Sequence, residues 1–184
     1  MQGKPANIQI KRHRSPGRIE QLEVERIVEL CLEHLFVTKV LDVGCATGLF
    51  AEAFALRNLN VVGIDKNPLK VKNAADKISN ARFQEGSAEM LPFSDKSFDL
   101  VFICHILHKS DDPLLVLKEA GRVARVRVAV LEWANIEVST TQPLPRSLDP
   151  QKIKKLTRSA GMTAVKKHDL ENMVLYRMKP DGNT

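Results

Sequence analysis

The residues best equipped for chemistry are a glycine turn, two acids and two histidines. Val40-Leu41-Asp42-Val43-Gly44-Cys45-Ala46-Thr47-Gly48 runs from an apolar strand into a short helix. Gly44 and Gly48 let the chain turn sharply there and let a ligand approach the backbone. A pyrophosphate cradle needs G-x-G-x-x-G, and Ala46 occupies the third position of that pattern. A P-loop is excluded because no Gly-Lys-Ser/Thr follows. A G-x-x-x-G turn that also carries Asp42 suits a ligand with a charged amino acid end.

Asp65 ends the second apolar strand, about 20 residues beyond the turn, where a carboxylate can accept hydrogen bonds from both hydroxyls of a ribose. The competing role of helix cap is already filled by Asn67. His105 and His108 follow the fourth strand, at the end of an open α/β sheet where active sites lie. Each can act as a general base, or merely line the pocket and satisfy the loop. Cys104, His105 and His108 are too close together in sequence to close a tetrahedral metal site readily, so no metal is expected. Glu132 and Trp133 end the fifth strand and are expected to face the same crevice, with Trp133 stacking on an acceptor or simply packing.

The elements that must hold these groups are legible from periodicity and punctuation. An amphipathic helix carries Leu22, Ile27, Val28, Cys31 and Leu35 on one face. Strands are predicted over Val37–Val43, Asn60–Ile64, Ala81–Glu85, Phe98–Cys104 and Val126–Leu131, with a helix over Leu49–Arg57 after the first. Asn67-Pro68, Asp112-Pro113 and Asp149-Pro150 each pair a capping side chain with a proline suited to the first helical position. The first of these helices runs to about Ser79, and the second turns Leu114, Leu117, Ala120 and Val123 inward. Gly161 closes the third, and Met162–His168 with Met173–Met178 reads as an antiparallel hairpin around Asp169–Asn172.

Apolar strands alternating with helices predict an α/β fold, a Rossmann-like doubly wound and mostly parallel sheet with helices on both faces. The C-terminal antiparallel β-hairpin brings it to seven strands. Residues 1–18 read as a flexible basic arm, 19–179 as a single domain and 180–184 as a tail. Asn135–Leu148, with Pro143 and Pro145, is a long polar loop of the kind that forms a lid or binding segment.

The 184 residues, 43% hydrophobic and 27% charged, suffice for one globular domain with a real core. No apolar run is long enough to span a bilayer, and Met1-Gln2-Gly3-Lys4-Pro5 lacks an apolar signal region. Cytoplasmic residence is the default expectation. Three cysteines, Cys31, Cys45 and Cys104, are too few and too spread for a disulfide framework or a C-x-x-C zinc site. The net charge of +6 would attract anionic partners. Yet one Tyr and one Trp offer little for stacking on nucleic acid bases.

Further along, Gly86-Ser87-Ala88-Glu89-Met90-Leu91-Pro92-Phe93 follows the third strand and Ser97-Phe98-Asp99-Leu100-Val101 opens the fourth. With the glycine turn and Asp65, these motifs resemble the class I S-adenosylmethionine-dependent methyltransferases. Within that class they are similar to the small-molecule branch that includes the ubiquinone/menaquinone-biosynthesis methyltransferases. The match covers residues 37–134.

The resemblance implies that S-adenosylmethionine is the cofactor and S-adenosylhomocysteine the product. It carries Gly44, Cys45, Ala46 and Gly48 over as contacts to the methionine part, with Asp42 near its ammonium and Asp65 on the ribose. Lys66, Asn67, Ser87, Ala88, Glu89 and Cys104 would border the rest of the cofactor. Ser87 stands where the family often has Asp, and Arg122–Arg127 replaces a common Pro-Gly-Gly turn. His108 and His105 are the catalytic candidates. The expected activity is direct in-line methyl transfer to a small-molecule acceptor, with RNA or protein methylation, or cofactor binding without turnover, as alternatives.

Overall fold

In the computed structural model, residues 23–134 and 148–181 are described below. The expectations for the basic arm and for nearly all of the polar loop fall outside these residues.

Helix α1 (Val24–Leu32) precedes strand β1 (Lys39–Val43), α2 (Leu49–Ala55), β2 (Asn60–Asp65), α3 (Pro68–Ala75) and β3 (Arg82–Glu85). Then come β4 (Phe98–Cys104), α4 (Pro113–Val123), β5 (Ala124–Trp133), α5 (Pro150–Ser159), β6 (Met162–Asp169) and β7 (Met173–Pro180). The sheet has seven strands in the order β3-β2-β1-β4-β5-β7-β6. The first five strands pair in parallel, and β7 joins β5 and β6 antiparallel. The expected sheet and terminal hairpin are therefore present.

Three helix starts follow the side-chain chemistry read from sequence. Asn67 Oδ1 accepts from the Leu69 amide at 3.0 Å, Asp112 Oδ1 from Leu115 at 3.0 Å and Asp149 Oδ1 from Gln151 at 2.9 Å. Each bond satisfies an otherwise orphaned N–H, with proline next in line where no N–H is needed.

The apolar faces pack into two layers. Val24, Ile27, Val28 and Cys31 of α1 meet Phe50 and Phe54 of α2 over Val40 and Phe102. On the opposite face, Val116, Leu117 and Ala120 of α4 and Ile153 of α5 cover Leu41, Val101 and Val130. In α4 it is Val116 rather than Leu114 that is fully inward, because the helix axis places Val116, Leu117 and Ala120 over the sheet.

Several boundaries differ from the sequence reading, with β1 starting at Lys39, α2 ending at Ala55 and β3 starting at Arg82. β5 begins at Ala124, directly after α4, and runs on to Trp133. No connecting loop replaces the family's Pro-Gly-Gly turn. Arg122 instead anchors the neighbouring segment, donating to the carbonyls of Leu91 at 3.0 Å and Phe93 at 2.7 Å. Arg127 donates to the carbonyls of Cys31 and Glu33, closing the end of α1. α3 stops at Ala75, short of Ser79.

Strand order reverses between β1 and β4, since the chain winds outward through β2 and β3 and then crosses back. A crevice opens at the carboxyl ends of the strands at such a point.

Candidate active site

The floor of that crevice is the turn after β1. Gly44, Ala46 and Gly48 all have positive φ, at 73°, 49° and 80°. Only Ala46 carries a Cβ in this strained region, a cost of about 1 kcal/mol. The turn is tied down from the neighbouring strand, as the Gly44 and Cys45 amides both donate to the Ile64 carbonyl, at 2.7 and 3.0 Å. Room for it comes from Gly63, where a Cβ would lie 2.6 Å from the Phe83 ring and 3.0 Å from the Cys45 Cβ.

A cleft of about 360 Å³ lies over this turn, within the range of small-molecule sites. Of the residues expected at a cofactor, Asp42, Gly44, Cys45, Ala46, Asp65, Lys66, Ala88, Glu89 and Cys104 line it. His105 and Trp133 line it as well. Thr47, Lys70, Ile106, Lys109 and Ser110 join the wall through the fold.

Five expected residues are not in the lining. Gly48 backs onto Ile78 and Phe83, and Asn67 is committed to capping α3. The Ser87 hydroxyl is turned to Glu89, both to its carboxylate and to its amide. His108 lies behind the wall, with its side chain only 4% exposed. Glu132 is fully buried and likewise does not face the crevice.

Asp42 and Asp65 give the cleft two different carboxylates. No hydrogen bond of normal geometry reaches either oxygen of Asp42 from the described residues. Burial pushes its carboxyl up to about 7, an effect that the Ala51 amide offsets only in part. Asp65 is braced at both oxygens, Oδ2 accepting from the Ala46 amide at 3.0 Å and Oδ1 from the Asn67 amide at 2.9 Å. A carboxylate oxygen has two acceptor sites, so each still has capacity for one hydroxyl.

Glu89 joins two loops that border the cleft. Its Oε1 accepts from the Ser110 hydroxyl at 2.6 Å, while Oε2 takes the Ser87 hydroxyl. The Ser110 bond, then the Ser87 bond, holds its carboxyl below the ordinary value.

The far wall is aromatic. His105 follows β4 in a left-handed conformation with φ 54°. Its ring stacks on Trp133 at 4.3 Å between centroids, with 14° between planes. Behind it, His108 Nδ1 meets Glu132 Oε2 at 2.5 Å, and Glu132 Oε1 accepts the Leu107 amide at 2.9 Å. Burial raises the Glu132 carboxyl, against the pull of His108. Sequence reading missed the importance of this Glu132 bond, since the pair is separated along the chain and only the pairing of β4 with β5 joins them.

An open sheet with this strand order, a glycine turn over the switch point and acids at the ends of β1 and β2 defines a Rossmann-like methyltransferase fold. Residues 41–130 match the family model described as a methyltransferase domain. Over that span the chain is similar to the S-adenosylmethionine-dependent methyltransferases.

A demethylmenaquinone methyltransferase of Thermotoga maritima is 32% identical over 112 residues, 59% of this chain and 48% of that protein. An uncharacterized methyltransferase of Bacillus subtilis is 34% identical over 92 residues, 47% of this chain and 36% of that protein. The alignments thus span half or less of these curated relatives. A crystal structure of an S-adenosylmethionine-dependent methyltransferase from Aquifex aeolicus matches at TM-score 0.81 with 20% identity, covering 97% of this chain and 100% of that one. That likeness is one of fold. Among the described residues, no helix is long and apolar enough to cross a membrane.

S-adenosylmethionine is the cofactor of this family, and the residues present fit it. The buried, unpartnered carboxylate of Asp42 lacks a cation, which the ammonium of an amino acid end would provide. The spare acceptor sites of Asp65 suit a vicinal diol.

Proposed function

We propose that this chain transfers a methyl group from S-adenosylmethionine directly to a small-molecule acceptor. The observation that carries the reading is the pairing of an orphaned acid, Asp42, with a braced acid, Asp65, in one cleft closed on its far side by His105 and Trp133.

When bound, S-adenosylmethionine supplies a methyl group activated by the adjoining positive sulfur. In the proposed arrangement Asp42 neutralises the amino acid end and Asp65 holds the sugar. The backbone of Gly44, Cys45 and Ala46 shapes the floor, and Lys66, Ala88, Glu89 and Cys104 border the remainder. Gly48, Asn67 and Ser87 then act on the shape of the site rather than by contact. The protein's contribution is to hold the partners close, aligned and away from water.

The acceptor would lie against the His105–Trp133 wall. His105 lines the cleft and would contact the acceptor there. His108 is a positioning residue in this scheme, fixing the loop after β4 through Glu132. The similarity to a demethylmenaquinone methyltransferase favours a small organic acceptor.

Calorimetry with S-adenosylmethionine, S-adenosylhomocysteine and NAD tests the cofactor reading. Binding of the first two without the third is expected; NAD binding alone overturns it. Transfer of labelled methyl into fractions of a cell extract then tests the acceptor class. Label appearing only in RNA or protein would overturn the small-molecule assignment.

A further inference from the structure

One donor atom from each of His105, His108 and Glu132 lies within 4.8 Å of the other two. The two histidines come from the loop after β4, and the carboxylate comes from β5. Glu132 is fully buried, and its one charged partner among the described residues is His108. A buried carboxylate without a permanent cation is costly unless something neutralises it.

The geometry of His108 points to what that something is. With Glu132 ionised, its oxygens only accept, so the 2.5 Å contact puts a proton on Nδ1. In the neutral ring Nε2 is then the lone-pair atom. That Nε2 is buried and meets no hydrogen-bond partner among the described residues. The His105 ring stands edge-to-face to it, with centroids 6.1 Å apart. A carboxylate on one imidazole nitrogen with a bare lone pair on the other is the arrangement of a metal-ligating histidine and its supporting acid.

We propose that His105, His108 and Glu132 form the site of one divalent cation of the zinc type, with the two imidazoles as protein ligands, Glu132 as the carboxylate supporting His108, and the remaining positions open to water or acceptor. Imidazole donors suit zinc-like ions, whereas magnesium and calcium require oxygen. His105 also lines the cleft, so the ion borders the acceptor side and selects acceptors that offer a hydroxyl or thiol. That use rests on the methyl-transfer reading; the binding itself does not. Sequence alone gives no such site, because Glu132 joins the histidines only across the sheet.

The test is titration of the metal-stripped full chain with Zn²⁺ by equilibrium dialysis, and with Co²⁺ by visible absorption. The expected result is about one ion per chain, with a d–d band characteristic of nitrogen and oxygen ligands. His108→Ala abolishes the band, and Glu132→Gln weakens binding about 10-fold or more. His105→Ala, at a half-buried position, also weakens it, while Asp65→Ala leaves it unchanged.

Circular dichroism melting of each variant establishes that it folds. Absence of stoichiometric binding by the wild type overturns the proposal, as does undiminished binding by both folded histidine variants. Calorimetry of the same samples with S-adenosylmethionine separates the two readings. Cofactor binding without ion binding sinks this inference alone, and ion binding without cofactor binding sinks the proposed function alone.

Discussion

The Ala46 amide donates to Oδ2 of Asp65 over 3.0 Å, joining the glycine turn after β1 to the end of β2. Because Oδ1 is held by Asn67, the carboxylate plane is fixed before any ligand arrives. A pre-oriented acceptor loses little freedom on binding, which favours affinity.

Replacing this acid separates bracing from ligand contact. Asp65→Ala is expected to weaken S-adenosylmethionine binding about 10- to 100-fold, the worth of hydrogen bonds to a charged acceptor. Asp65→Asn, which keeps one acceptor oxygen, should fall between. Titration calorimetry checks this, and unchanged affinity in Asp65→Ala would remove the ribose assignment.

Asp42 gives a prediction about pH. Burial raises its carboxyl from the ordinary 3.8 to about 7, so the folded state retains a proton that the unfolded chain has released. Its stability contribution is therefore present in full below pH 3.8, shrinks as pH climbs toward about 7, and is gone above. Asp42→Asn should lack this decline and be the more stable form at pH 8, by about 1–4 kcal/mol. Urea unfolding of both proteins from pH 5 to 8 measures it, and parallel curves would contradict it. Cofactor binding near neutral pH should release a proton in the wild type only, detectable in buffers of differing ionisation enthalpy.

Gly63 permits the turn to rest on β2. Gly63→Ala would press its Cβ onto the Phe83 ring and the Cys45 Cβ, and overpacking of this kind costs about 1–3 kcal/mol. The strain falls partly on the turn, so cofactor affinity should drop along with thermal stability. A variant that loses neither would show that Phe83 moves aside without disturbing Cys45.

Arg122 is expected to govern the segment after β3. Its guanidinium binds Asp95 at 2.8 Å and Glu119 at 2.7 Å, in addition to the carbonyls of Leu91 and Phe93. Arg122→Ala should raise amide exchange across residues 91–95 and cost about 1 kcal/mol, a modest sum because the side chain is partly in solvent. Exchange unaltered in that segment would show that Leu91 and Phe93 are held by apolar packing alone.

The local grammar of the fold was open to reading from the chain. Asp112-Pro113 announces a helix because the side-chain acceptor and the missing N–H act within one turn of backbone. The apolar run Phe98–Cys104 announces a strand covered on both faces. The glycine turn and Asp65 are short-range signals of the same kind, and the two mark the end of the cleft proposed for the cofactor.

What local signals could not reveal depends on residues brought together by the sheet. Ser87 was expected at a ligand, but its hydroxyl is already used by Glu89. His108 was a catalytic candidate until β5 supplied Glu132 to hold it behind the wall. Which histidine faces the cleft is decided by the left-handed turn at His105 and its stack on Trp133. Sequence by itself determined the order of strands and helices and the nature of the turn, because those follow from periodicity and backbone chemistry over a few residues. The tertiary structure alone decided which polar groups remain available to a ligand, because that depends on hydrogen bonds between segments far apart in the chain.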